Sequence, residues 1–318
     1  MSIPESGKII VILGPTSSGK TRLAVQLAAK FAGEIVSADS RQVYRGMDVG
    51  TGKDLAEYSA KLKVKSSKLK VVQIPYHLID VVNPNQEFNL AKYKKMAEAA
   101  IDDILRQGKL PLLVGGSGLY LQAVVDDFKL TNIKADRKLR SEFEKLSVRN
   151  LFAKLEKLNS GLAAKINQSD RGNKRRLVRY LEILSAGAET LGEKNRKGKY
   201  DALLIGLDLP VGELNQRIEY RLLERLEKEG LVAEVQELHD DGLSWHRLES
   251  FGLEYKFVSQ HLQGKLSYDE MVKKLNIAIR QFARRQRSWF RRWERQGKKI
   301  HWVTKRIQAE QMIKKYIA

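Results

Sequence analysis

The segment Gly14-Pro15-Thr16-Ser17-Ser18-Gly19-Lys20-Thr21 fits G-x-x-x-x-G-K-[ST], and no other stretch of the 318-residue chain constrains its fold as strongly. A phosphate-binding loop must follow a strand and open a helix, and both flanks are present. Lys8 to Leu13 is short, apolar and β-branched. From Thr21 onward Leu23, Ala24, Leu27, Ala28 and Phe31 recur on one helical stripe. The glycines let backbone N–H groups turn inward around phosphate oxygens, and the helix N-terminus adds positive potential. Lys20 supplies a full charge, and the Thr21 hydroxyl is placed to ligate Mg²⁺.

The remaining pattern extends this start into an α/β fold: a P-loop core with a parallel sheet flanked by helices. Glu34 to Ala38 reads as a second strand, Leu90 to Arg106 as a helix, and Leu110 to Val114 as a strand running into Gly115-Gly116-Ser117-Gly118. Strands alternating with helices of this length imply right-handed βαβ units. The lysine- and serine-rich stretch Tyr58 to Val72 reads as an exposed excursion. From Asp136 to Leu184 the pattern is wholly helical, a polar link spans Gly187 to Lys199, and Ala202 to Leu207 reads as a buried strand. The expected organisation is a core of residues 1–130 and 200–318, with an inserted all-helical subdomain at 131–199. Long amphipathic helices are expected from there to the end.

Composition narrows the function. The absence of cysteine excludes disulfides, thiolate metal sites and cysteine nucleophiles, and the five histidines have no metal-ligand spacing. The longest apolar runs, IIVIL and LPLLV, are strand-sized, so no membrane span is expected. With the first strand beginning so near the N-terminus, a cytoplasmic protein is expected. Lys and Arg outnumber Asp and Glu 58 to 38, a formal charge of +20. Between Lys273 and Arg306 stand thirteen basic residues against one acid, Glu294. Such a surface suits a polyanion such as nucleic acid, and equally a solvated basic face. A phosphate loop alone suggests a nucleotide kinase or NTPase.

The next segment points elsewhere. Ile35-Val36-Ser37-Ala38-Asp39-Ser40-Arg41-Gln42-Val43-Tyr44-Arg45-Gly46-Met47-Asp48-Val49-Gly50-Thr51 resembles the signature of the tRNA dimethylallyltransferases, which prenylate the adenosine next to the anticodon. The resemblance continues through His77-Leu78-Ile79-Asp80, Gly115-Gly116-Ser117-Gly118-Leu119-Tyr120, Asn215-Gln216-Arg217-Ile218-Glu219 and Arg284-Arg285-Gln286-Arg287-Ser288-Trp289-Phe290-Arg291. It departs from the family at Ser18 (more often alanine), at Ser117 (threonine), and at Gly50-Thr51-Gly52-Lys53, where Gly-Thr-Ala-Lys is usual. Gly252-Leu253-Glu254-Tyr255-Lys256 stands where many members have a shorter Gly-Tyr-Lys.

The resemblance implies that the loop Gly14 to Thr21 holds the diphosphate of dimethylallyl diphosphate. An allylic diphosphate departs once its charge is neutralised, so cations are needed at the leaving group and a base at the nucleophile. Lys20, Mg²⁺ on Thr21, and Arg217 would supply the cations; on residue pattern alone, Arg217 also fits a salt bridge to Glu213 or Glu219. Asp39, at the end of a strand, reads equally as a general base or as a helix N-cap, and the resemblance implies the base. Ser40, Arg41, Gln42 and Ser117 would hold the adenosine. The nucleotide must be turned out of the anticodon loop, which costs a few kcal/mol of unstacking. Two basic clusters suit the RNA phosphates: Arg171, Lys174, Arg175, Arg176 and Arg179 in the insertion, and Arg284, Arg285, Gln286, Arg287 and Arg291 in the tail. Trp289 and Trp293 nearby, with Phe282 and Phe290, serve either as stacking platforms or as core. A monomer is expected. The competing expectations are an adenylate isopentenyltransferase acting on free nucleotide, an ATP-dependent small-molecule kinase, and a non-catalytic RNA-binding protein.

Overall fold

The computed structural model describes residues 7–63, 69–130, 133, 136–187 and 198–318. The chain divides into two compact units, one formed by Met1–Val125 with Gly198–Ala318 and the other by Asp126–Lys197.

In the first unit, β1 (Lys8–Leu13) leads through the phosphate loop into α1 (Lys20–Phe31) and β2 (Gly33–Ser37). β3 (Ser59–Lys63) and β4 (Leu69–Gln73) form an antiparallel hairpin, followed by the short β5 (Tyr76–His77). The hairpin corrects the expectation of an exposed excursion from Tyr58 to Val72. Tyr58 and Ala60 are buried and Val72 packs on the core, although Val71 faces solvent. Part of that stretch, 64–68, lies outside the described residues. α2 (Leu90–Arg106) starts at Asn89, whose side chain accepts from the N–H of Lys92, and leads to β6 (Leu110–Gly115) and α3 (Gly118–Val125).

The second unit is helical: α4 (Arg137–Glu144), α5 (Val148–Leu158), α6 (Ser160–Lys165), α7 (Gln168–Arg171) and α8 (Lys174–Ser185). Each begins at a residue whose side chain accepts from a first-turn N–H: Asp136, Ser147, Asn159, Asn167 and Asn173. Caps of this kind satisfy the orphan donors of helix starts, which is why a segment with few strand formers settles into short helices. Its core is its own, built from Phe143, Leu151, Leu155, Ile166, Leu177, Val178 and Leu181. The link expected after Gly187 lies largely outside the described residues.

The chain re-enters the first unit at β7 (Asp201–Leu207) and continues through α9 (Val211–Glu227), α10 (Leu231–Asp240), α11 (Trp245–Ser250), α12 (Leu253–Leu262) and α13 (Tyr268–Arg295). β8 (Ile300–Val303) and α14 (Arg306–Ile317) complete it. β8 corrects the expectation of helices alone in the tail. Ile300 and Val303 are buried while His301 and Trp302 are not, so four residues suffice to extend the sheet edge.

Among the described residues the main sheet has six strands in the order β5-β2-β6-β1-β7-β8, all parallel. Side chains of β1 alternate between two cores. Ile9, Val11 and Leu13 pack with α2, α3 and α13, while Ile10 and Ile12 pack with α1 and α14. Burial on both faces is what a central parallel strand requires, and it accounts for the unbroken apolar run. β6 and β7 flank β1 on opposite sides. The chain therefore switches direction at β1, and the crevice beyond the carboxyl ends of these strands is where open α/β sheets bind ligands.

Candidate active site

The loop after β1 occupies that crevice. Gly14 is required because a Cβ there would lie 2.7 Å from the carbonyl of Leu207, and Gly19 takes φ 86° at the helix entrance. Two neighbouring backbone segments are tied together by one side chain. Gln286 Oε1 accepts from the N–H of Thr16 at 2.8 Å, and its Nε2 donates to the carbonyl of Gly116 at 2.9 Å. Ser18 is buried with its hydroxyl unpartnered among the described residues.

A cavity of about 260 Å³ opens at these strand ends, lined by Thr16, Lys20, Thr21, Asp39, Ser40, Arg41, Gln42, Ser117 and Gln286. The structure thus brings together residues from four distant stretches of sequence. Lys20 donates to the carbonyl of Pro15 at 3.4 Å, and burial depresses its pKa to about 8, against the opposing pull of Asp39. Asp39 stands two residues beyond the end of β2. Its Oδ1 accepts from the N–H of Arg41 at 2.8 Å and of Gln42 at 3.5 Å, closing a turn. No helix follows, so the N-cap alternative is replaced by an Asx-type turn that aims the carboxyl group into the cavity.

Arg41 donates to the carbonyl of Ser250 at 3.4 Å and lies over the ring of Phe251; burial lowers its pKa. Gln42 is held at both ends of its amide, accepting from the Ser37 hydroxyl at 3.1 Å and donating to the carbonyl of Gly52 at 3.0 Å.

A second, more open cavity of about 630 Å³ shares Lys20, Thr21 and Arg221 with the first. Ser17, Gly19 and Arg217 also line it. Arg217 pairs with Glu213 at 2.8 Å, so the salt bridge and the place beside the phosphate loop coexist. Sequence reasoning missed Arg221 and Arg225, one and two turns further along α9. Arg221 pairs with Asp54, and burial pushes it down to about 10; Arg225 lies 3.5 Å from Glu254. The signal was the spacing of four between Arg217, Arg221 and Arg225, which stacks three guanidinium groups on one helix face.

The basic residues divide by environment. Arg284, Arg285 and Arg291 are exposed on α13, whereas Arg287 is half-buried and pairs with Asp208 at 2.8 Å. Gln286 points inward. The aromatic residues of the same helix are mostly core. Trp293 and Phe290 are fully buried, and Trp289 packs over Gly118 beneath Arg292, 4.2 Å from its ring. Stacking platforms at Phe290 and Trp293 are therefore excluded, because an amphipathic helix must bury its apolar stripe; Trp289 is partly buried, and half-buried Phe282 lines the cavity.

In the helical unit Arg171 donates to the carbonyl of Ile166 at 3.1 Å and lies over Phe152, Arg176 pairs with Asp170, and Arg179 reaches Glu182 at 3.3 Å. Lys174 and Arg175 occupy the first turn of α8, which has no acidic residue.

Among the described residues no group of three or more His, Asp or Glu side chains could hold a metal ion. The donor present is the Thr21 hydroxyl, which suits magnesium held mainly by substrate phosphate oxygens and water. No described helix is long and apolar enough to cross a membrane.

Comparison with known proteins identifies the family and the fold. The family model described as IPP transferase matches residues 42–293, and that of isopentenyl transferase matches residues 7–65. The tRNA dimethylallyltransferase 1 of Geotalea daltonii is 44% identical over 295 residues, 93% of this chain and 90% of that protein. The tRNA dimethylallyltransferase 2 of Treponema denticola is 41% identical over 96% of this chain and 98% of its own. The full-length tRNA isopentenylpyrophosphate transferase of Bacillus halodurans superimposes with a TM-score of 0.67 at 32% identity, covering 98% and 97% of the two chains. A eukaryotic dimethylallyltransferase solved acting on tRNA gives a TM-score of 0.69 at 28% identity, over 89% of this chain and 69% of that one.

Proposed function

The chain belongs to the IPP transferase family, and from that premise we propose that it transfers the dimethylallyl group of dimethylallyl diphosphate to the exocyclic amine of the adenosine 3′-adjacent to the anticodon. The enzyme is a prenyltransferase that modifies tRNA. The observation that carries the mechanism is the meeting of Lys20 and Thr21 with Asp39 in one cavity.

The allylic C1–O bond breaks as a bond forms from the adenine nitrogen to C1, diphosphate leaves, and the amine loses one proton. Backbone N–H groups at the Gly19 to Thr21 end of the loop, with Lys20 and Arg217, receive the leaving charge. Preorganised cations are most effective at such a site because they need no reorganisation as the bond breaks. Mg²⁺, held by Thr21 and the diphosphate, would add to that neutralisation. Asp39 accepts the amine proton, a contribution of about 10²–10⁴-fold for a well-placed base. Ser40, Arg41, Gln42 and Ser117 hold the adenosine against it.

Both basic clusters serve the RNA. Lys174 and Arg175 stand at the positive end of the α8 dipole, an arrangement that costs about 0.3–1 kcal/mol per charge without a polyanion, while Arg176 beside them pairs with Asp170. A phosphate backbone relieves that repulsion, and Arg171 adds to the same patch. Arg284, Arg285 and Arg291 offer further phosphate contacts from α13. A cytoplasmic, monomeric enzyme completes the reading.

Labelled dimethylallyl diphosphate, incubated with tRNA, with AMP, or with neither but ATP present, tests it directly. Label is expected in tRNA. Label in AMP but not tRNA would mark an adenylate isopentenyltransferase, and phosphoryl transfer from ATP would mark a kinase.

A further inference from the structure

We propose that Glu234, which lines neither cavity, is a positioning residue whose carboxylate seats the segment 48–52 that walls the cavity containing Asp39. The inference rests on the reading of that cavity as the prenyl-transfer site.

α10 presents Glu234 to three successive backbone amides. Its Oε2 accepts from the N–H of Asp48 at 2.7 Å and of Val49 at 2.6 Å, and its Oε1 accepts from the N–H of Gly50 at 3.0 Å. Oε1 also accepts from the hydroxyl of Tyr255 at 2.7 Å. Four donors on one carboxylate match its acceptor capacity. The Tyr255 ring lies so close that a Cβ on Gly50 would come within 2.6 Å of it, so the segment is seated between Glu234 and an aromatic face.

Lys53 closes the other end. It is fully buried, donates to the carbonyl of Tyr44 at 2.7 Å, and pairs with Asp48 at 2.5 Å and with Asp80. The segment so held touches the site in two ways. Gly50, Thr51 and Gly52 form part of the cavity wall. The carbonyl of Gly52 accepts from Gln42 Nε2 at 3.0 Å, and the backbone N–H of Gln42 donates to Asp39 Oδ1 at 3.5 Å. Glu234 therefore reaches Asp39 through Gly52 and Gln42, by contacts that each appear in the structure.

A glutamine at 234 offers one acceptor oxygen where the carboxylate offers two, and turns an NH₂ toward amide donors. At least one backbone amide then loses its partner. The resulting shift falls on the cavity wall and the Asp39 turn, not on the exposed arginines.

The test uses the full-length protein with dimethylallyl diphosphate and tRNA, comparing wild type, Glu234→Gln and Gly50→Ala. For Glu234→Gln, kcat is expected to fall about 10- to 100-fold, the range that displacement of a catalytic group by about an ångström produces. The Kd for tRNA should stay within about twofold, because phosphate contacts dominate that affinity. Amide exchange at residues 48–50, measured without substrates, should rise at least about tenfold. Gly50→Ala displaces the same segment from its other side, against the Tyr255 ring, with the Glu234 carboxylate kept, and should reproduce the kcat loss with tRNA affinity retained. Unchanged exchange in Glu234→Gln, or kcat losses matched by equal losses of tRNA-binding protein, would overturn the proposal. Wild-type protein that transfers no label to tRNA would instead overturn the reading of the site, and the exchange result would still decide whether Glu234 seats the segment.

Discussion

The side chain of Gln286 accepts a hydrogen bond at 2.8 Å from the backbone N–H of Thr16, 270 residues earlier in the chain. Through its other end it holds Gly116, so one buried amide fixes the spacing between the phosphate loop and the loop after β6. Gln286→Leu leaves a backbone donor and a backbone acceptor unpaired in the interior. We expect a loss of about 2 kcal/mol, seen as a melting temperature lower by about 4–8 °C, since each kcal/mol corresponds to about 2–4 °C in a unit of this size. The KM for dimethylallyl diphosphate should rise while tRNA affinity holds. Calorimetry and steady-state kinetics check the two parts separately.

Asp39→Ala should lower turnover by at least about 100-fold with the Kd for tRNA nearly unchanged, the signature of an interaction made only in the transition state. Single-turnover transfer measured at saturating tRNA reads this directly. Near-normal turnover would remove Asp39 from proton transfer.

Lys20 provides a pH dependence whose sign can be worked out. Burial holds its pKa at about 8 in the free protein, below the ordinary 10.5. A bound diphosphate favours the ammonium form, so the complex binds the proton more tightly than the free enzyme does. Affinity is then greatest below pH 8, and kcat/KM for dimethylallyl diphosphate should fall by about tenfold per unit above it. Binding near pH 8 should also take up a fraction of a proton, measurable by titration calorimetry in two buffers of different ionisation enthalpy. A flat profile up to pH 9.5 would contradict it.

Arg284 and Arg287 are three residues apart and should behave differently. Arg284 is exposed, and Arg284→Ala should weaken tRNA binding and reduce the slope of log K against log salt by about one. Arg287 already pairs with Asp208. Arg287→Ala should leave the slope nearly unchanged and instead lower stability by about 1 kcal/mol, the upper end for a pair that keeps some solvent contact. Fluorescence binding titrations across a salt series distinguish the two.

The parts legible in the sequence were those whose chemistry is local. The phosphate loop declares itself through glycine spacing; the position of Asp39 at a strand end was legible too, while its reading as a base came from the family resemblance. The helical unit was legible because its segment carries helical periodicity throughout; the Asp, Ser or Asn cap at each helix start is what the structure adds. What stayed hidden depends on distant partners. Arg221 and Arg225 become site residues only because α9 is packed beside the phosphate loop. Trp293 and Phe290, set among arginines, read equally as platforms or as core until the sheet they cover is known. β8 escaped notice because four residues between basic stretches carry too short a pattern to distinguish strand from loop. The lysines of the β3–β4 hairpin likewise hid a buried edge at Tyr58 and Ala60.

The dependence of the phosphate loop on Gln286 bears on how the protein is made. Gly14 to Thr21 leave the ribosome about 270 residues ahead of the amide that braces them, and β8, which completes the sheet edge beside β7, follows later still. A nascent chain halted before α13 carries the whole P-loop sequence but lacks the brace that sets its shape. Products terminated before α13 should therefore be poor competitors for the prenyl donor, since the gripping surface takes its shape only after Gln286 has been made.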